Sequence, residues 1–415
     1  MELHRHEKFP LLDPMRALAA ISILVVHTAY FSEAYLNAGY GQFLAHLDIG
    51  VPFFFLLSAF LLYRPFVVAR LENKERTPFR EYAKRRFVRI FPAYWAALSV
   101  AAVVPGFAGA LTGNWWVYYG LLQSFPVYTP TGACAADPFR CGIPVAWSLT
   151  VEVLFYVLLP FIVLAMAWLG QRWRGKPLTL ELGLVAALTA VSIPIQASVP
   201  LSDVHTFLFY SPFGRGWWFA LGLLLAALSV HLARREREPG VIDSIRRRPG
   251  VTVAAGVALY AIVVVAILPN SPSLAFPAFI DIKAYLAQYL LFGVIAALII
   301  LPAIFGTDGG GLTRRVLGHR SLIWLGLISY GIFLWQIPAL ILIFDAGIEG
   351  FVPLTVLTLG LTIVCATASY YLLELPLMKR VRSRRGAGGA AYGSAEGELE
   401  AIEAATRPAT EPTRP

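Results

Sequence analysis

The sequence predicts an all-α protein that crosses a membrane about ten times, and three observations support this prediction. Of the 415 residues, 58% are hydrophobic and only 14% are charged, whereas soluble domains carry about 25% charged residues. Apolar windows of roughly 20 residues recur along most of the chain. The segments between these windows alternate in positive charge, which is typical of the loops of a multi-span protein.

Ten apolar segments are long enough to cross a bilayer as helices. They cover residues 12–31, 50–69, 87–105, 146–168, 180–199, 214–233, 251–269, 284–305, 321–343 and 352–373. The first segment is longer than the core of a signal peptide, and no cleavage-site pattern follows it. We therefore expect it to be retained as a membrane helix.

Positive charge concentrates in alternate loops. One set of loops includes the basic stretches 70–86 and 234–248, whereas the other set holds only Arg140 and Lys283, with Arg215 at a span boundary. The positive-inside rule then predicts that the basic loops and both termini are cytoplasmic. Because this topology explains the pI of about 9.5, we expect no nucleic-acid partner, although an anionic cytoplasmic ligand stays open.

The domain organisation follows from the same pattern. Residues 1–380 are predicted to form one transmembrane domain in a bilayer, most simply the cell membrane. Residues 381–415 are rich in Ala, Glu, Gly and Pro, and this composition predicts a disordered cytoplasmic tail. The sequence does not fix the oligomeric state, so a homo-oligomer is left open.

Two cysteines lie in the long outer loop between the third and fourth spans. Cys134 and Cys141 could close an eight-residue ring in an oxidising compartment, or they could stay reduced. We expect no metal site, because the seven histidines are scattered without the spacing of metal ligands.

The same outer loop is rich in aromatic residues. Flat rings there could stack on a sugar, or they could form the aromatic belt that marks a membrane interface. Both interpretations stay open for Trp115, Trp116, Tyr118, Tyr119 and Tyr128.

The first span carries two basic residues on one helical face. Arg16 and His27 are eleven residues apart, which places them about 16 Å apart along a helix. Asp13 opens the span one turn before Arg16. An ionisable residue inside an apolar span is costly and indicates a functional site, and an imidazole is suited to accept a hydroxyl proton near neutral pH.

A second basic group stands where a cytoplasmic loop becomes the third span. Arg86 and Arg89 are three residues apart and share a helical face, so they could hold a phosphate between them; Arg85 lies beside them. The alternative is an ordinary basic anchor at the membrane surface. The continuation of charge into the apolar run at Arg89 favours a phosphate site.

The fourth span begins with Trp147 and Ser148, and Glu152 is its charged residue. This carboxylate should lie at about the same depth as His27. We therefore expect Glu152 to orient the His27 imidazole, as the third group of a catalytic triad does. The alternative is a Glu bonded to a neighbouring helix for packing.

Four blocks of this sequence resemble the acyltransferase-3 family of integral membrane O-acyltransferases. Leu12 to Ala20, followed by His27, is similar to the family's Arg-x10-His first helix, and Gly50 to Leu61 is similar to its second block, with Ala59 where Gly is usual. Arg86 to Pro92 resembles its Arg-x-x-Arg block. Trp147-Ser148-Leu149 with Glu152 resembles its Trp-Ser-Leu-x-x-Glu block.

The resemblance extends to the last two spans. The segment Leu325 to Gln336 is similar to a family block in which His often follows Trp; here Gln336 stands instead, so that histidine's role cannot be carried over. Glu374-Leu375-Pro376 fits the family's ending. The chain is expected to be the stand-alone form, without an esterase-like domain after the tenth span.

The resemblance implies transfer of an acyl group, most simply acetyl, from cytoplasmic acyl-CoA to a hydroxyl of a sugar-containing acceptor. It implies catalysis by His27, Glu152 and Asp13. It also implies binding of acyl-CoA by Arg16, Arg85, Arg86, Arg89, Trp147 and Ser148. His27 would act as general base, with an acyl-histidine intermediate as the less favoured variant.

The competing interpretation is a multi-span transporter. Arg16, His27 and Glu152 would then form a proton relay or an anion path. The absence of a detectable inverted repeat and the clustering of polar residues in the N-terminal half argue against it.

Overall fold

The computed structural model describes residues 9–37, 39–109, 111, 114–125, 134, 137–198, 203–234, 240–268, 281–305 and 312–383. These residues form helices and connecting loops, and this part of the chain contains no β-strand. The predicted tail lies almost wholly outside the described residues.

We number the long helices α1 to α10 in chain order. They are α1 (Leu12–Phe31), α2 (Gly50–Leu71), α3 (Phe79–Val103), α4 (Ala146–Arg172), α5 (Pro177–Ala197), α6 (Gly216–Ala233), α7 (Pro249–Ile262), α8 (Ile282–Phe305), α9 in two arms (Arg320–Leu327 and Ser329–Asp345) and α10 (Phe351–Ser369). Single π-helical turns follow α7 and α10, at Val263–Ile267 and Tyr370–Glu374. Shorter helices cover Ala34–Leu36, Gly41–Ala45, Leu47–Ile49, Trp115–Tyr119, Pro138–Arg140, Asp203–Phe209, Gly240–Arg247, Leu312–Leu317 and Leu375–Ser383.

The span count confirms the predicted fold class. Within the described residues, nine helices are long and apolar enough to cross a membrane, and the two arms of α9 make a tenth span if they are taken together. The chain is therefore a polytopic, all-helical membrane protein. The location of both termini in the cytoplasm stays a prediction.

Two spans differ in shape from the expectation. Helix α3 begins at Phe79, directly after Pro78, rather than at residue 87; its basic first turns are built from good helix formers. Arg86 and Arg89 therefore lie inside a continuous helix. Helix α9 is not straight, because its arms are bent by 71° around Ile328.

The centre of the molecule is the contact between α2 and α6. A side chain at Gly222 would lie 2.3 Å from the Leu56 carbonyl oxygen and 2.6 Å from the Ala59 Cβ, so only glycine permits this close approach. The Phe219 ring stacks on Phe55 of α2 and on Phe155 of α4, with centroid distances of 4.8 and 4.2 Å. These contacts hold α2, α4 and α6 together.

The bend in α9 shapes the space beside α1. The first arm approaches the start of α1 so closely that a Cβ at Gly326 would lie 2.3 Å from the Asp13 carbonyl oxygen. Past the bend, the Tyr330 hydroxyl donates to the Ile90 carbonyl of α3 at 2.8 Å. The second arm of α9 thus closes one side of a space between α1 and α3.

A disulfide joins Cys134 to Cys141 in the outer loop, which confirms the bridged alternative. The Tyr118 hydroxyl contacts the Cys141 Sγ at 2.7 Å, and this side chain is only 4% exposed, so Tyr118 offers no surface to a sugar. Trp115 and Trp116 are 57% and 44% exposed. Tyr128 lies outside the described residues.

Candidate active site

A cavity with a volume of about 90 Å³ lies between α1, α2, α3, α4 and the second arm of α9. We call it the cavity throughout. Five residues that the sequence singled out line it, although they come from three different helices. They are Arg16, Arg86, Arg89, Ser148 and Glu152.

The three arginines make the cavity cationic. Arg86 and Arg89 lie one turn apart on α3; the Arg86 guanidinium carbon is 5.9 Å from the centre of the Tyr156 ring, and the Arg89 Nη1 is 3.8 Å from the Met378 Sδ. Arg16 Nη1 donates to the Asp13 carboxylate at 3.0 Å. Asp13 does not itself line the cavity, so its contact with Arg16 fixes the guanidinium from the side.

Glu152 bridges α2 and α4. Its carboxylate accepts hydrogen bonds from the hydroxyls of Ser58 on α2 and Tyr156 on α4. Of the described residues, it is the one carboxylate that lines the cavity, against three arginines. The positive excess favours an anionic ligand, because a cleft with walls of low dielectric constant focuses the field of its charges.

His27 is hydrogen-bonded to Gln336 on α9. The His27 Nδ1 and the Gln336 Oε1 are 3.3 Å apart, and the Gln336 amide nitrogen donates to the Phe333 carbonyl at 3.1 Å. The amide group is therefore oriented with its oxygen toward His27. Because an amide oxygen only accepts, Nδ1 carries the proton and Nε2 keeps the lone pair that a general base needs.

The His27–Gln336 pair lies one helical turn beyond one end of the cavity. Ile23 and Phe333 line the cavity, and they precede His27 and Gln336 on the same faces of their helices. The His27 side chain is buried, with 8% exposure. The imidazole is therefore shielded from bulk water, close to the end of the cavity opposite Arg16.

The expected hydrogen bond between His27 and Glu152 is not present in the described structure. His27 bonds to Gln336, and Glu152 bonds to Ser58 and Tyr156. Similar depth in the membrane led to the expectation, but depth does not decide which helices are neighbours. Helix α1 packs on α2, α9 and α10, whereas α4 packs on α2, α3 and α5, so the two side chains lie on helices that are not close neighbours.

Two other predicted ligands of acyl-CoA point elsewhere. The Arg85 Nη2 is 2.6 Å from the Glu81 carboxylate, one turn earlier on α3, and Arg85 lines a smaller adjoining space together with Arg86. Trp147 packs against Arg215, whose guanidinium carbon is 5.5 Å from the ring centre. Neither Arg85 nor Trp147 lines the cavity.

Three polar residues of the site were missed by sequence reasoning. Ser58 and Gln336 are uncharged residues within apolar spans, and the sequence around each gives no indication of its hydrogen-bond partner. Tyr156 follows Glu152 by four residues, which puts both side chains on one face of α4. The hydrogen bond between them could therefore have been predicted from the sequence.

The fold and the site together define a multi-span membrane protein with an arginine-lined internal cavity and a buried, oriented histidine. A family model described as an acyltransferase domain matches residues 10–372. The chain therefore belongs to this acyltransferase family.

Relatives with similar sequences include two O-acetyltransferases. The chain is 23% identical over 405 residues to the peptidoglycan O-acetyltransferase OatA of Listeria monocytogenes, covering 89% of this chain and 56% of the relative. It is 22% identical over 392 residues to the O-acetyltransferase OatA of Staphylococcus aureus, covering 89% and 57%. The chain thus spans a little over half the length of these relatives. No solved structure matches it.

Proposed function

We propose that this protein transfers an acetyl group from cytoplasmic acetyl-CoA to a hydroxyl of a cell-envelope glycan, across the cell membrane. The observation that carries this proposal is the arrangement of the cavity. Three arginines line it, and a buried histidine with a defined tautomer lies one turn beyond its far end.

The arginines suit the donor. Acyl-CoA carries phosphates at one end and a neutral thioester at the other, and guanidinium groups bind phosphate oxygens through charge-assisted hydrogen bonds. In this proposal Arg86 and Arg89 hold phosphate, and Arg16, fixed by Asp13, adds a third positive charge. Glu152 offsets part of this charge and fixes the hydroxyls of Ser58 and Tyr156.

The histidine suits the acceptor. His27 Nε2 takes the proton of the acceptor hydroxyl as that oxygen attacks the thioester carbonyl. The carbon–sulfur bond then breaks, and the departing thiolate receives a proton, which leaves free CoA and an O-acetyl ester. Gln336 positions the imidazole by accepting the Nδ1 proton. This assigns to Gln336 the orienting role that sequence reasoning gave to Glu152.

The glycan acceptor is inferred from the relatives. One of them is called a peptidoglycan O-acetyltransferase and another an O-acetyltransferase. Peptidoglycan is therefore the first acceptor to test, and its sugars would approach from the face opposite the donor.

The test is release of CoA by the purified protein in liposomes given acetyl-CoA, with and without peptidoglycan fragments. We expect release that depends on the acceptor, and we expect His27→Ala to abolish it. His231→Ala is the matched control, because His231 also lies in a membrane helix, with its Nδ1 2.8 Å from the Ala227 carbonyl oxygen.

Two results would contradict the proposal. One is the absence of release with every acetylated donor and glycan tested. The other is solute flux through the liposomes that requires His27, which would support the transporter instead.

A further inference from the structure

A second opening, larger than the cavity, lies at the end of the bundle that carries the basic loops. It has a volume of about 540 Å³ and lies between α2, the 72–78 loop, the end of α4 and the start of α5. We call it the groove. Its polar lining includes Arg70, Lys74, Arg76 and Trp173, and no described carboxylate lines it.

A smaller space of about 30 Å³, the passage, adjoins the cavity and the groove. It shares Leu61, Leu62 and Arg86 with the cavity, and it shares only Phe66 with the groove. The passage also contains Arg85. Along α2, the distance from Ser58 in the cavity to Ala69 in the groove is about 16 Å at 1.5 Å per residue. The three openings therefore follow one another along α2, and the buried Phe66 ring, packed against Phe79 and Tyr82, stands between the passage and the groove.

The groove presents an indole in a fixed position. Trp173 is 49% exposed, and its Nε1 donates to the Thr179 hydroxyl at 3.1 Å. A Cβ at Gly175 would lie 2.6 Å from that nitrogen, so glycine is what lets the ring lie against the backbone there. A fixed, half-exposed aromatic ring is the surface on which a nucleobase stacks.

Three cationic side chains line the groove together with this ring. Arg70 pairs with the buried Glu181, and Lys74 Nζ is 3.0 Å from Glu72 at the surface. The Arg76 guanidinium carbon lies 4.9 Å from the centre of the Phe79 ring. Three cations line the groove and neither Glu72 nor Glu181 does, so the surface offered to a ligand is cationic.

We propose that the groove binds the adenosine 3′-phosphate end of the acyl-CoA donor, with the adenine stacked on Trp173 and the 3′-phosphate held by Arg76 and Lys74. The pyrophosphate then lies where the passage meets the cavity, beside Arg85, Arg86 and Arg89, and the pantetheine arm extends further into the cavity. This inference rests on the proposed function, because it names where one part of that donor binds. It also gives Arg85 a role that the cavity alone did not provide.

The test compares two donors that differ only at the nucleotide end. Acetyl-CoA carries adenosine phosphate, whereas S-acetylpantetheine does not. Removing an aromatic stacking partner weakens nucleobase binding by about tenfold. We therefore expect Trp173→Ala to raise the KM for acetyl-CoA about tenfold and to leave the KM for S-acetylpantetheine unchanged. Gly175→Val, which displaces the indole, should act in the same way.

Trp168→Ala is the matched control. Trp168 lies in the last turns of α4, five residues before Trp173, is 54% exposed and has the Arg172 guanidinium carbon 4.1 Å from its ring centre, but it does not line the groove. It should change neither KM. An equal rise for both donors in Trp173→Ala, or no rise for either, would overturn the inference while leaving the transferase intact.

A binding measurement separates this inference from the proposed function. Titration of the purified protein with adenosine 3′,5′-bisphosphate should show saturable binding by calorimetry that Trp173→Ala weakens about tenfold. If the wild-type protein transfers nothing from acetyl-CoA, the proposed function fails. If Trp173→Ala binds adenosine 3′,5′-bisphosphate as tightly as the wild type does, the assignment of the groove to the adenosine end of the donor is wrong.

Discussion

Arg86 and Arg215 are both arginines next to apolar helices, but their surroundings differ. Arg86 faces empty volume in the cavity. Arg215 is 6% exposed, and its Nη1 donates to the Gln196 Oε1 at 3.3 Å and the Tyr285 hydroxyl at 3.1 Å. Its guanidinium carbon lies 5.0 to 5.5 Å from the centres of four aromatic rings, those of Trp147, Phe209, Tyr210 and Trp218.

This difference separates a cation that can bind a ligand from one that holds helices together. A guanidinium over aromatic faces is stabilised without a counter-ion, and none of the described carboxylates forms an ion pair with Arg215. The rings leave little room for a substrate beside it. An arginine beside a cavity instead keeps donors available to an incoming anion. Burial of positive charge alone therefore does not mark a site; the adjoining empty volume does.

The largest expected effect is at the histidine beyond the cavity. His27→Asn keeps an amide donor near the position of Nδ1 but has no basic nitrogen. General base catalysis is worth about 10²–10⁴ in rate, so we expect kcat to fall by that factor while the KM for acetyl-CoA stays the same. Steady-state kinetics in liposomes check this. A large change in KM with kcat intact would mean that His27 binds the donor instead.

The next effect tests the arginines of the cavity directly. Hydrogen bonds to a charged group contribute about 1.5–3 kcal/mol, so Arg86→Gln should raise the KM for acetyl-CoA roughly 10- to 100-fold. Arg215→Gln should leave this KM unchanged. The KM of both variants is measured by varying the concentration of acetyl-CoA. Equal increases in KM would mean that Arg86 and Arg215 contribute alike to donor binding.

A smaller effect is expected at Gln336. Gln336→Leu removes the side-chain acceptor for the Nδ1 proton of His27 and loosens the orientation of the imidazole. We expect kcat to fall about 2- to 12-fold, since one hydrogen bond contributes about 0.5–1.5 kcal/mol, with no change in the KM for the donor. The pair can be checked by a double-mutant cycle with His27→Asn: additive losses would show that Gln336 does not act through His27.

The smallest effect on activity is expected at the aromatic enclosure. Arg215→Leu removes the cation over four rings, and a desolvated cation–π contact contributes about 2 kcal/mol. We expect the unfolding temperature to fall by a few degrees, with the KM for acetyl-CoA unchanged. Differential scanning fluorimetry in detergent measures the shift. An unfolding temperature equal to that of the wild type would show that Arg215 does not hold these helices together.

Much of the site could be predicted because its residues lie in short blocks of the sequence. Arg16, Arg86, Arg89 and Glu152 were each singled out as charges in apolar segments, and the structure places all four around one cavity. The partner of His27 could not be predicted. Gln336 is 309 residues away in the chain, and an uncharged amide on another helix gives no signal of the contact.

By itself, the sequence determined the all-helical membrane fold, the approximate positions of ten spans and the resemblance to an acyltransferase family. Hydropathy, loop charge and motif spacing are properties of consecutive residues, so they can be read without neighbours. The tertiary structure decided that Glu152 bonds to Ser58 and Tyr156, that Gln336 orients His27, and that aromatic rings enclose Arg215. Those outcomes depend on which helices pack side by side and how each is rotated, and a one-dimensional pattern fixes the depth of a residue but not its lateral neighbours.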